Sequence, residues 1–115
     1  MRRVLACCLC LIIPILAQAD PTLLWSDAYD GGGLYDDFGD LVAVAPDGHV
    51  VVAGSSHDGI DGSDMLVRKL HRDTGAEVWS RRIPAFDTSD MAVSAVLWDG
   101  AGNLVVGGHI LGCVG

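Results

Sequence analysis

The run Gly48-His49-Val50-Val51-Val52-Ala53-Gly54 returns 54 residues on as Gly102-Asn103-Leu104-Val105-Val106-Gly107-Gly108. The same offset relates Leu24-Trp25-Ser26 to Val78-Trp79-Ser80, Asp36 to Asp90 and Val42 to Val96, without a gap. These apolar runs are β-branched, short and bounded by glycine. They have no 3.6-residue period, so a helical reading fails and strands are predicted.

Around that run the strands fall into a series. Leu23–Ala28, Asp40–Val44, His49–Gly54, Met65–Leu70, Glu77–Ile83, Met91–Leu97 and Leu104–Ile110 are predicted strands. Pro46-Asp47-Gly48 is a turn tripeptide that joins two of them as a hairpin, since Pro sets φ early and Gly accepts a positive φ late. Arg72-Asp73-Thr74-Gly75 predicts a second turn, and residues 57–63 a loop. Four consecutive strands per repeat, with short connections, predict an all-β fold of β-propeller blades, each of four antiparallel strands, in an incomplete ring. A small β-sandwich is the alternative, although a sandwich does not require an ungapped repeat. The expected organisation is a signal peptide over 1–19, the final strand of a preceding blade plus a loop over 20–35, one complete blade over 36–89, and the first half of a second blade, truncated, over 90–115.

The leader is read from its three parts. Arg2 and Arg3 precede an apolar run from Val4 to Leu16, and Ala17-Gln18-Ala19 is a small-x-small site before Asp20. That plan predicts secretion or a periplasmic location, with cleavage between Ala19 and Asp20. The apolar run is short and broken by Pro14, so no stable membrane span is expected. Cys7, Cys8 and Cys10 leave with the leader, and Cys113 alone remains, so no internal disulfide is expected.

The whole chain carries a formal charge of −8. Loss of Arg2 and Arg3 makes the mature chain more negative still. Such a surface repels phosphate backbones, and nucleic acid is excluded as a partner. Of the 15 acidic residues only Glu77 is Glu. Asp favours turns and caps. With 15 Gly, this predicts many tight turns and little helix.

At Thr74-Gly75-Ala76-Glu77-Val78-Trp79 the spacing resembles the tryptophan-docking motif of PQQ-like β-propeller repeats. Asp64-Met65-Leu66-Val67-Arg68-Lys69-Leu70, following the valine hairpin, is also similar to the bacterial SBBP repeats. The resemblance covers Leu23 to Ile110. It departs from the PQQ-like pattern where Lys69 and His71 replace an Ala and an Asp before the Thr. The resemblance implies that Trp25 and Trp79 pack between neighbouring blades, with Gly75 permitting the turn.

Candidate chemistry is sparse. Asp58, Asp61 and Asp64 lie three apart in a glycine-containing loop and invite a Ca²⁺ reading, against which stands the ordinary use of Asp and Gly in solvated turns. Asp30, Asp36, Asp37 and Asp40 form a second acidic cluster, with Asp36 repeated as Asp90 and so assigned to turn hydrogen bonding. His57 and His109 sit near equivalent hairpin ends, without metal-ligand spacing. No catalytic, cofactor-binding or metal-binding residue is assigned, and no cofactor is expected. The function expected is a binding or scaffolding module for a protein or carbohydrate ligand, with self-association through an exposed blade edge. The alternatives are the N-terminal fragment of a PQQ-dependent periplasmic dehydrogenase, and a truncated gene product without independent function.

Overall fold

A computed structural model describes residues 21–112, except 33, 58, 60–61 and 86–88. The expected leader, and Cys113, lie outside the described residues. The strands are β1 (Phe38–Val44), β2 (Val50–His57), β3 (Ser63–Leu70), β4 (Glu77–Ile83), β5 (Asp90–Trp98) and β6 (Leu104–Leu111). The fold is all-β. β1 to β4 form an antiparallel sheet in chain order, β5 and β6 form a two-stranded sheet, and neither closes on itself. Among the described residues no helix is long and apolar enough to cross a membrane.

The two hairpins that carry the valine runs are built alike. In the first turn Gly48 N–H donates to Ala45 O and Ala45 N–H to His49 O; in the second, Gly102 N–H donates to Asp99 O and Asp99 N–H to Asn103 O. Each pair of strands then carries a bulge at the same place, between Gly39 and Leu41 and between Val93 and Ala95. The bulge pushes a carbonyl against the opposite strand. A Cβ on Gly54 would lie 1.7 Å from Phe38 O, and one on Gly108 would lie 2.3 Å from Ala92 O. Glycine is required there because no other residue leaves room for the carbonyl.

Directly opposed residues in an antiparallel pair share a face. The register therefore divides the first sheet into two surfaces. Leu41, Ala43, Val51, Ala53, Met65, Val67 and Trp79 lie on one; Val42, Val44, Val50, Val52, Leu66, Arg68 and Leu70 lie on the other. The first surface is the inner face. Val51, Ala53, Met65 and Val67 bury there against Val93 of β5, with Met91, Val96, Trp98, Leu104 and Val106 packed around them. The second sheet thus lies across the inner face of the first.

One predicted strand is absent. Leu23–Ala28 pairs with no strand and runs as irregular backbone over residues 21–31. Its apolar pattern is suited to a strand, but a strand exists only through hydrogen bonds to a neighbour, and side-chain contacts hold this segment instead. β2 and β3 also extend beyond their predicted ends into the expected loop, pairing Ser56 with Asp64 and His57 with Ser63.

Gly54→Ala should lower the unfolding free energy by about 3 kcal/mol or more, because the added carbon must displace backbone rather than a side chain. Gly39→Ala is the control, since its Cβ would meet only Val52 Cγ1 at 3.5 Å. Urea denaturation of the two variants measures the difference. Equal midpoints would refute the account of the bulge.

Candidate functional site

Residues 21–31 form a strap across the outer face of the first sheet. Trp25 leads it. The indole Nε1–H donates to Arg72 O at 2.7 Å. Its ring lies over Gly75, where an added Cβ would come within 2.5 Å of Trp25 Cε3. Gly75 also has φ +73°. The turn between β3 and β4 and the seat for the indole therefore depend on the same residue.

Two arginines fix the rest of the strap. Arg68, on β3, pairs with Asp27 of the strap and donates from Nε to Glu77 Oε2 at 2.8 Å. Its guanidinium lies 4.9 Å from the centre of the Tyr29 ring. Arg82, on β4, donates to Asp64 Oδ2 at 2.9 Å, to Ser56 Oγ at 3.0 Å and to Tyr29 Oη at 3.2 Å. Ser56 is fully buried. This guanidinium gives the buried hydroxyl a partner. Burial disfavours the charged form of both arginines. Asp27 and Glu77 outweigh it at Arg68, and Asp64 and Tyr29 outweigh it at Arg82, so both are held more firmly protonated than usual.

At the end of the strap Gly31 N–H donates to Asp37 Oδ2 at 2.7 Å. Burial acts to raise the Asp37 pKa. The Gly31 N–H, the nearby Ser56 hydroxyl, the His57 backbone and the Arg82 charge together hold it below its ordinary 3.8. Between strap and sheet lies a cavity of about 470 Å³, bordered by Trp25, Tyr29, Val42, Val52, Leu66 and Arg68. It is an apolar groove with aromatic walls on one side and one guanidinium, already paired, on the floor. Such a groove can hold an apolar or ring-shaped surface and orient it with few polar contacts.

The other residues considered from sequence are placed as follows. Asp58 and Asp61 lie outside the described residues. Asp64 accepts from Arg82 on one oxygen and from Ala85 N–H, at 3.0 Å, on the other. Asp30 accepts Gly32 N–H and Asp90 accepts Ser63 N–H, both at 2.8 Å. His57 packs at a tilt against Tyr35 with ring centres 4.2 Å apart, and His109 Nδ1 is 3.1 Å from Ser94 Oγ. The His49 and His71 rings lie tilted against each other with centres 4.6 Å apart, and each Nδ1 accepts a backbone N–H, from Arg72 and Asp73 respectively. Among the described residues no group of three or more His, Cys, Asp or Glu is placed to hold a metal ion. The strap, Tyr29, Arg68 and Arg82 are the elements sequence reasoning missed. One signal was available: Arg68 stands between Leu66 and Leu70 at the same strand parity, a charge on an apolar face that requires a partner.

No protein-family model matches the chain, and no curated protein or solved structure is significantly similar to it.

Gly75→Ala should unseat the indole and free the strap, costing about 1–2 kcal/mol for a lost hydrogen bond and part of the burial of an aromatic. Hydrogen exchange followed by NMR would report it as faster exchange of the Trp25 Nε1–H and the Gly31 N–H with β2 unchanged; unchanged exchange at both would refute the seat. Asp37 yields a pH dependence. A carboxylate whose folded-state pKa is lowered stabilises the fold above its unfolded value, and that contribution disappears as pH falls through the folded value. Stability should therefore fall below about pH 4. Asp37→Asn should fall less steeply in urea titrations across pH 2.5–6, and an unchanged slope would remove Asp37 as a cause.

Proposed function

We propose that this chain is a secreted or periplasmic repeat module of the β-propeller type, related to the PQQ-like and SBBP repeats, that binds or scaffolds a protein or carbohydrate ligand. In this reading 20–35 belongs to a preceding blade, 36–89 is one complete blade and 90–115 opens the next, with 1–19 as the export signal. The observation that carries the reading is the seating of Trp25 on Gly75. Trp25 and Trp79 are related by the 54-residue offset, and Trp25 packs onto the turn of the following repeat rather than its own. A tryptophan that locks one repeat onto the next is what stacked blades require, since each unit buries its faces only against neighbours.

The binding surface in this reading is the groove beneath the strap. Trp25 and Tyr29 offer ring faces suited to a sugar or to an apolar protein segment. Neutral oligosaccharides and apolar peptides, titrated singly, should change the indole fluorescence and raise the melting temperature. Binding at 100 Kd would add about 2.7 kcal/mol. Trp25→Ala should abolish the response. A response that survives this change would move the site elsewhere, and no response at millimolar ligand would leave scaffolding alone. The stacking itself is tested by inserting further copies of residues 36–89 in tandem. The melting temperature should rise with each copy; a constant value would favour the sandwich.

A further inference from the structure

The contact between the two sheets shows how another such contact is made. Val96, Trp98, Leu104 and Val106 pack on the inner face of the first sheet. Their counterparts 54 residues earlier are Val42, Val44, Val50 and Val52, which share the outer face of that sheet. The strap does not cover all of them. Its contacts from Trp25 to Tyr29 fall on Arg68, Arg72, Gly75 and Arg82, and Val42 and Val44 each remain 68% exposed.

The complementary surface is bare at the other end. Leu41, Ala43, Val51 and Ala53 line the inner face that receives the second sheet. Their counterparts are Ala95, Leu97, Val105 and Gly107, which point away from that contact. Leu97 is 50% and Val105 46% exposed. Among the described residues the chain thus carries one partly covered surface of the first kind and one open surface of the second, and it already joins the same two kinds to each other internally.

We propose that a second copy of this chain docks head to tail, its Leu97–Val105 surface seating on the Val42–Val44 surface of the first. The inference rests on the repeat-stacking reading and adds the partner. The interface is heterologous, because the two surfaces differ, so each added copy leaves a fresh surface for the next. The mating residues are uncharged, while each mature copy carries a net charge of −10, the −8 of the whole chain less Arg2 and Arg3. Association should therefore strengthen as salt screens the repulsion between copies.

The test uses the mature chain in sedimentation velocity and light scattering. The expected result is a mass that grows with concentration past the dimer, more at 0.5 M than at 0.05 M salt. Val44→Asp and Leu97→Asp should each weaken association by at least about tenfold, since each would bury an unpaired carboxylate. Both positions are exposed, and circular dichroism should show each variant folded. Mixed in equal amounts, the two variants should form a 1:1 dimer and stop there, because one intact surface remains on each. A monomeric wild type at 0.1 mM overturns the proposal, as does a mixture that fails to pair. Association that survives both substitutions also overturns it, and assigns self-association to the free strand edges. If the wild type is monomeric while tandem repeats still raise the melting temperature, only the second copy is lost. If the tandem series is flat as well, the stacking reading falls with it.

Discussion

A sheet whose strands are apolar on both faces loses stability for each face left in water, and the rest of this molecule answers to that constraint. Val50, Val51 and Val52 are consecutive in β2. Adjacent valines therefore point to opposite sides of the first sheet. One side is covered by β5 and β6, which bury Val51, Ala53, Met65 and Val67. The other is covered in part by the strap. Chain order sets the coverage: the hairpin after β4 lies on the inner face, and the segment before β1 lies on the outer one. Burial of this kind is worth about 1.5–3 kcal/mol for each aliphatic side chain removed from water, which exceeds any local strand preference.

Covering the outer face with irregular chain raises a second requirement. A segment outside the ladder has backbone and side-chain polar groups that need partners. The two arginines meet it. Arg68 and Arg82 both rise from the sheet on the outer side and reach the strap through Asp27 and Tyr29. Each is also tied within the sheet, Arg68 to Glu77 and Arg82 to Asp64 and Ser56. Anchoring at both ends holds each guanidinium in one orientation, and a half-exposed ion pair contributes little without that restriction. Trp25 adds the apolar part of the attachment, and the cavity remains where the strap bridges from the arginines to β1.

The hairpins were legible in the sequence because their determinants are local. Pro46-Asp47-Gly48 carries its own turn geometry, and Gly54 and Gly108 recur because the same bulge recurs. The limits of β4 were legible for the same reason, lying between a turn at Gly75 and Pro84. The strap was not. Leu23–Ala28 has a strand's composition, but whether such a segment forms a strand depends on an edge to pair with, which is information from far along the chain. The ends of β2 and β3 were misplaced for a related reason. Ser56 and Asp64 look like loop residues until Arg82, on another strand, satisfies both and lets the ladder continue. In the candidate site Trp25 was expected by resemblance to pack between repeats, with Gly75 permitting the turn, whereas Tyr29 and Arg68 come together only once the strap crosses the sheet.

The repeat then explains the uneven exposure of like residues. Val42 and Val96 occupy equivalent places in the two hairpins, yet one lies open and the other packs on the core. Propensity cannot distinguish them, because the local sequence, the turn and the bulge are alike. The difference lies in the neighbour: Val96 has a sheet against it and Val42 has none. In a stacked-repeat arrangement of the kind proposed for this chain, stability would be a sum over contacts between adjacent units, each unit presenting one surface that receives and one that inserts. In the proposed stacking reading, an exposed valine on such a surface is an interface open to a neighbour.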